Sequence, residues 1–284
     1  MLLESHIDFD IVLPGDDLGK YNALMLPDFV HLTAKEAERI NTFIANGGAV
    51  VFTGESSLEN NHFQIEAGVE YIGKSNYAQD YYCSSKDMPL PYANAPFICY
   101  EGAYRTRVSQ GVVLASVFEP WFDRTYATYC SHMNTPYKDE PSPYPAVIRN
   151  GNVIYIAHPM CHLYKLYGTQ LFREVIIRAL KLVYCPRYLL TIPSACRTRL
   201  THQKDYHRYV FHVTYASPIQ RGIASVIEDI VPIYNSTVQI QIPEQIKHVR
   251  LIPGMDDISF AQKGACIEFT IPCVNLYQGV EIEY

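Results

Sequence analysis

The chain has 284 residues, 48% of them hydrophobic and 18% charged, with a formal charge of −6 at pH 7. That is enough apolar material for a packed core and enough length for two domains of the usual ~100–200 residues, which excludes a disordered chain. An acidic balance leaves no electrostatic footprint for a phosphate backbone, so no nucleic-acid partner is expected. The longest apolar run, around Ala146–Ile156, is broken by Arg149, Asn150 and Asn152. It falls short of the ~18–20 residues that cross a bilayer, and no membrane partner is expected. Met1–His6 has neither the basic nor the apolar region of a signal peptide. The eight cysteines stand singly with no CxxC pair, a usage that predicts reduced thiols packed as small hydrophobes in a cytoplasmic protein.

In chain order, Leu2 and Leu3 read as the last turn of a helix and Phe9–Val12 as a strand. Asn22–Leu26 is a second strand, apolar enough for burial on both faces. Thr33-Ala34-Lys35-Glu36 has the form of a capping box, and Ala37, Ile40, Phe43 and Ile44 mark one face of the helix it opens. Gly47-Gly48 supplies a left-handed stop, and Ala49–Thr53 is the next buried strand. Strand, helix and strand with short links predict a parallel crossover. Short β-like pieces follow at Val69–Ile72, Phe97–Tyr100, Tyr104–Val108 and Val112–Phe118, separated by Tyr-rich loops.

The stretch Glu119–Pro145 has no periodicity of its own, and loops that long are usually functional or bind a partner. Ala146–Ile148 and Val153–Ile156 flank Asn150-Gly151, a hairpin signal. Thr169–Val183 reads as a helix with Phe172, Ile176, Ala179 and Val183 inward. Pro186 marks a boundary. Beyond it the period is two: Tyr209, Phe211, Val213 and Tyr215, then Val238, Ile240 and Ile242, then Phe269 and Ile271, then Val280, Ile282 and Tyr284 alternate with polar residues. Such strands, divided by Pro and Gly turns, predict an antiparallel sandwich.

Several of these segments carry a family resemblance. Phe9–Val12, Leu18-Gly19-Lys20-Tyr21, Leu24-Met25-Leu26-Pro27, the Thr33–Phe43 helix, Asn46–Val51, Gly151–Tyr155 and the helix after Tyr164 together resemble the beta-galactosidase trimerisation domain. That domain is a flavodoxin/glutaminase-like module which follows the catalytic barrel of family 42 glycoside hydrolases. Trp121–Tyr126, Cys130-Ser131-His132 and Glu228–Ile233 are similar to a hypothetical glycosyl hydrolase group, number six in its series. The resemblance implies a three-layer α/β module at 1–186, followed by an all-β sandwich at 187–284. Against that pattern the first strand of the α/β module is missing along with the barrel, so the sequence reads as a fragment or split gene. A glutaminase elbow is also missing, since Thr53-Gly54-Glu55-Ser56-Ser57 has neither a cysteine nor a second glycine.

Glycoside hydrolysis usually needs two carboxyl groups about 5–10 Å apart on rigid elements. The acidic pairs Asp16/Asp17, Asp139/Glu140 and Asp256/Asp257 fall in turns, where turn chemistry explains them, so no catalytic residue is assigned. Glu55 ends a parallel strand, where open α/β sheets place ligands. Together with His158, Cys161 and His162 it forms a set of weak pocket candidates. His158–His162 with Cys130 and His132 lacks the spacing of a zinc site, and neither metal nor cofactor is expected.

The aromatic loop is the main functional expectation, because Tyr and Trp are stiff, amphipathic and enriched at interfaces and sugar platforms. Trp121, Phe122, Arg124, Tyr126, Tyr129 and His132 are its contact candidates, set against the plainer reading that these rings cover their own module's sheet edge. With the resemblance, these features imply a non-catalytic accessory and assembly part of a glycoside hydrolase, partnered by copies of itself or by a catalytic barrel. A carbohydrate-binding piece and a small hydrolase or amidotransferase-like enzyme are the competing readings, the last requiring Glu55, Cys161 and His158 to converge.

Overall fold

A computed structural model describes residues 1–284 as two compact units, one of Val12–Cys185 and one of Met1–Ile11 with Pro186–Tyr284. With 39% of residues in strands and 14% in helices, the chain is mostly β. No helix is long and apolar enough to cross a membrane.

In the Val12–Cys185 unit, β1 (Ala23–Leu26) leads to α1 (Ala34–Ala45) and β2 (Ala49–Thr53). The capping box that opens α1 is formed on both sides: Thr33 N–H donates to Glu36 Oε2 at 2.7 Å and Glu36 N–H to Thr33 Oγ1 at 3.3 Å. Two of the helix's orphan donors are thereby satisfied. Ala37, Ile40 and Phe43 are buried along one face, and Gly47 ends the helix at φ +93°. A Cβ on Gly48 would stand 2.3 Å from the Phe43 ring, so the tight exit depends on having no side chain there.

All five residues of β2 are buried, because parallel neighbours flank it on both sides and α1 and α3 pack on it. Two short ribbons follow, β3 (Leu58–Glu59) with β4 (His62–Phe63), and β5 (Val69–Gly73) with β8 (Arg105–Val108). The remaining strands are β6 (Asp80–Ser84), β7 (Phe97–Cys99), β9 (Val112–Phe118), β10 (Pro145–Asn150) and β11 (Val153–Ile156), after which come α2 (Met160–Tyr167) and α3 (Gln170–Val183). The main sheet runs β1-β2-β11-β10-β9-β6-β7. Only β1, β2 and β11 run parallel; from β11 onward each pairing is antiparallel. The expected crossover is therefore present, but more than half of the sheet is a meander rather than a doubly wound layer.

In the other unit, β12 (Tyr188–Leu190), β17 (Ile233–Gln241), β21 (Cys266–Val274) and β20 (Phe260–Lys263) form one sheet. The second contains β13 (Arg197–Gln203), β14 (Arg208–Thr214), β22 (Tyr277–Glu283), β18 (His248–Ile252) and β19 (Asp256–Asp257). Phe211, Val213, Val238, Ile240, Phe269, Ile271, Val280 and Ile282 share one core, as the period-two pattern requires. A separate hairpin, β15 (Ile219–Arg221) with β16 (Ala224–Val226), pairs only with itself. Glu281, on β22, is 5% exposed and is held by Arg208 at 2.7 Å and Arg250 at 3.3 Å.

The first eleven residues depart from expectation. Leu3–Ser5 is a single 3-10 turn, and Phe9–Val12 belongs to no sheet. Met1–Ile11 packs with the sandwich rather than with the module at 1–186. Polar pairing holds the segment there. Asp8 accepts the Leu200 N–H at 3.2 Å, and Arg199 lies 3.7 Å from Asp8 and 3.6 Å from Asp10. Phe9 and Ile11 are left 42% and 81% exposed.

Candidate functional site

The C-terminal ends of the parallel strands gather the buried polar chemistry of the sheet unit. Asp28 follows β1 in a left-handed backbone (φ +47°) and is buried. Its N–H donates to Thr53 Oγ1 at 2.7 Å, and that hydroxyl donates back to Asp28 Oδ1. The carboxylate also accepts the backbone N–H groups of His162 at 2.5 Å and Cys161 at 3.4 Å. These two residues lie in the first turn of α2, whose N-terminus has no side-chain cap of its own, so Asp28 serves as its cap from across the unit. Burial pushes the Asp28 carboxyl above its ordinary range, against the hydrogen bonds that favour its charge.

Beside it the Thr53–Ser57 turn folds back on the chain after β1, with Glu55 N–H donating to Asp28 O at 2.9 Å and Ser57 N–H to Val30 O at 2.8 Å. Gly54, at φ +62°, brings its Cα so close that a Cβ would sit 3.0 Å from the Asp28 carbonyl. The Glu55 carboxylate takes the Tyr104 hydroxyl at 3.0 Å and lies 3.7 Å from Lys74 Nζ.

His158 is fully buried, with Nε2 2.6 Å from Asp80 Oδ1. The other Asp80 oxygen accepts the Ala103 N–H at 2.8 Å. Cys99 completes a buried cluster whose ligand-capable atoms all lie within 4.8 Å of one another. Burial works against a charged imidazole, and the acidic partners Cys99 and Asp80 outweigh it, raising His158 to about 10. Burial pushes the Cys99 thiol up as well, so at neutral pH the Asp80 carboxylate is the partner that sustains the imidazolium. The Cys161 thiol is pushed up to about 12, first by burial and then by the Asp28 charge. A thiol so protonated is a poor nucleophile. His162 is half exposed, edge-on to Phe29 at 5.8 Å.

The four weak candidates thus share one end of the sheet, but no hydrogen bond joins Glu55, His158 and Cys161. Each answers to a different partner: Tyr104, Asp80 and Asp28. Sequence reasoning missed Asp28, Asp80 and Cys99. The rule that singled out Glu55, a carboxylate just past a parallel strand, applies equally to Asp28.

The aromatic loop is stapled at its base and open at its tip. Glu119 pairs with Arg105 at 2.8 Å and Lys138 at 3.0 Å, Lys138 N–H donates to Glu119 O at 2.9 Å, and Trp121 N–H donates to Pro136 O at 3.1 Å. Asp123 accepts the Ala78 N–H at 3.1 Å. At the tip Thr125 N–H donates to Thr128 O at 2.8 Å, and the Thr128 hydroxyl to Asp123 O at 3.0 Å. This closes a turn that holds Tyr126 clear of the protein.

Trp121, Tyr126 and Tyr129 are 57%, 102% and 71% exposed. Arg124 and His132 are exposed and Phe122 is half-buried. Tyr137 and Tyr144 behave differently: Tyr137 packs on Tyr81 and Phe118, and Tyr144 lies beneath Arg105. The plainer reading therefore fits those two rings, whereas Trp121, Tyr126 and Tyr129 face outward. Two clefts of about 580 and 920 Å³ lie beside α1, the larger lined by Asp17, Leu18, Arg39, Phe43 and Tyr184. Neither is lined by the loop or by the strand-end cluster.

Against this geometry, the family description "Beta-galactosidase trimerisation domain" matches residues 1–182, well over half of the chain. The chain belongs to the beta-galactosidase trimerisation domain family. Among solved structures it is similar to alpha-L-fucosidase isoenzyme 2 from Paenibacillus thiaminolyticus, with 30% identity and a TM-score of 0.95 over 100% of this chain and 44% of that one. A catalytic mutant of Gan42B, a GH42 beta-galactosidase from G. stearothermophilus, shares 14% identity with a TM-score of 0.57 over 100% of this chain and 35% of that one. The beta-galactosidase from Bacillus circulans sp. alkalophilus shares 16% with a TM-score of 0.59 over 99% and 36%. The last two likenesses concern the fold alone. The chain thus spans less than half the length of these solved relatives. No curated protein matches it.

Proposed function

We propose that this trimerisation-family chain is the accessory and assembly part of a glycoside hydrolase, with sugar cleavage carried out by a barrel outside residues 1–284. The observation that carries this reading is the span: the whole chain aligns with 44% of a fucosidase at 30% identity, and the family match itself is to a trimerisation domain. The parallel strands β1, β2 and β11 with α1 and α3 form its flavodoxin/glutaminase-like part, and the sandwich is its second domain. None of the eight cysteines forms a disulfide, which suits a reducing, cytoplasmic setting.

The assembly surface is the aromatic loop. Trp121, Tyr126 and Tyr129 offer large stiff surfaces on a stapled base, and such rings lose little freedom on contact. Copies of the chain or a neighbouring catalytic domain are its partners. Sedimentation of the wild-type chain should show an oligomer, and Trp121→Ala with Tyr126→Ala should shift it towards monomer with the fold intact. An unchanged oligomer would exclude the loop, and a monomeric wild type would remove the assembly role from this chain.

Exposure of Trp121 also supports a carbohydrate-binding reading. Since Trp121 is the only tryptophan of the chain, its fluorescence during an oligosaccharide titration reports on the loop. A flat response at millimolar sugar would count against that second reading.

A further inference from the structure

The larger cleft beside α1 lies at the opposite end of the parallel strands from Asp28 and Glu55. Asn22 and Gly48, which help to line it, stand just before β1 and β2. At about 920 Å³ it has the size of a small-molecule site. Three stretches of chain shape it, and each is fixed from within. Asp17 accepts the Gly19 N–H at 2.9 Å and Leu18 O the Tyr21 N–H at 3.1 Å, which sets the turn before β1. The Arg39 guanidinium donates to Asp16 O and ties that turn to α1. Asn152 Nδ2 donates to Gly47 O at 3.2 Å, and Tyr184 N–H to Leu180 O at 2.8 Å. A cleft held in this way is preformed, so little freedom is lost when a ligand enters it.

The lining divides by chemistry. Phe43 is buried and Leu18, Tyr21, Val183 and Tyr184 are half-buried, which puts apolar and aromatic surface within reach of a ligand. Asp17, Asn22, Glu38 and Asn46 are exposed. The side chains of Asn22, Glu38 and Asn46 take no hydrogen bond from within the protein. Carboxamides offer donors and acceptors together, whereas carboxylates only accept. Arg39 is the cation of the lining, and Lys20 lies over the Tyr21 ring, 5.0 Å from its centroid. Two acids against these two bases leave the site near neutrality. A phosphate or carboxylate ligand would meet the acceptor-only Asp17 and Glu38, and an ammonium ligand would meet Arg39 and Lys20. A hydroxyl both donates and accepts, and a sugar ring adds a C–H face that can lie on a tyrosine.

We propose that this cleft binds a short neutral oligosaccharide, stacked on Tyr21 or Tyr184 and hydrogen-bonded through Asn22, Asn46, Asp17 and Glu38. The assignment rests on the proposed reading of the chain as the accessory part of a glycoside hydrolase and deepens it. Sugar is held at a site apart from the aromatic loop and from the buried cluster at the other end of the strands.

The test follows backbone amide resonances of the 284-residue chain during titration with lactose, with fucosyllactose and, in parallel, with inorganic phosphate. The expected result is that the Gly19, Gly47 and Gly48 amides shift saturably with at least one of the two sugars and do not respond to phosphate. Asn46→Ala removes an exposed carboxamide and leaves the core untouched; it should weaken sugar binding about fivefold, the worth of one hydrogen bond. Tyr21→Ala should weaken it at least as much, and Tyr21→Phe, which keeps the ring, should restore most of the affinity. No shift with either sugar at about 50 mM, far above the dissociation constant of even a millimolar site, would overturn the proposal. So would affinity unchanged in both alanine variants. Sugar shifts confined to Trp121–Tyr129 would overturn it in favour of the loop, and phosphate shifting the same glycines would overturn the ligand class. The oligomer is measured separately by sedimentation, so failure of the assembly reading and failure of the cleft remain distinguishable.

Discussion

The edges of the two sheet systems show opposite treatment. β13, at the margin of the sandwich, alternates Arg197, Thr198, Arg199 and Leu200, and its outward Leu200 N–H is taken by Asp8 from the segment laid along it. β1, at the margin of the mixed sheet, is uncharged and uncovered. Buried charge differs as well. The sandwich places Glu281 between two arginines that reach the solvent, whereas the sheet unit seals His158 and Asp80 in its interior. The sandwich straps its β13 margin, and the sheet unit carries the uncharged β1 edge and the outward aromatic loop. Charged or strapped margins oppose added strands.

The largest effect expected from breaking this contrast is at Asp80. Asp80→Ala leaves the buried imidazole and the Ala103 N–H without their partner, which typically costs about 3–5 kcal/mol. Urea unfolding should show that loss in the sheet unit, with the sandwich transition unmoved; a loss below about 1 kcal/mol would mean that the pair holds nothing together.

Next in size is a pH effect from the same pair. A histidine near ~6.5 when unfolded and raised to about 10 when folded contributes stability that is complete below ~6.5. That contribution declines between ~6.5 and about 10, where the unfolded state has lost its proton while the folded state still holds it, and is gone above that. Urea midpoints of the wild type should fall across that alkaline window relative to Asp80→Asn, and parallel curves would refute the ion pair.

The smallest effect belongs to the strap. Asp8→Ala should lower sandwich stability by about 1 kcal/mol, the usual worth of one hydrogen bond. It should also unblock β13, seen as faster exchange of the Leu200 amide; unchanged exchange would show that the strap does not guard the edge.

Much of this architecture was legible locally. The Thr33–Glu36 box, the Gly47 stop, the buried run of β2, the Asn150-Gly151 hairpin and the alternation of the sandwich strands are short-range signals, and each appears where the sequence places it. What failed depended on distant partners. α2 begins after Pro159 with no local cap because its cap, Asp28, lies 134 positions from His162. β6 reads Asp-Tyr-Tyr-Cys-Ser and hides among Tyr-rich loops, so the Asp80–His158 pair was out of sight. Phe9–Val12 has the composition of a strand but finds no ladder, since propensity supplies no neighbour. The loop aromatics were found by composition, but only their packing separates Tyr137 and Tyr144 from Tyr126.

The hydroxyl-braced turn under Tyr126 has a kinetic corollary. A ring already held in place when alone has little motion left to surrender on contact, so encounter should be fast and nearly the same for every partner of similar charge. Discrimination between one docking face and another would then be written in residence time. Loosening the brace, as in Thr125→Gly, should slow capture before it shortens the lifetime of the complex.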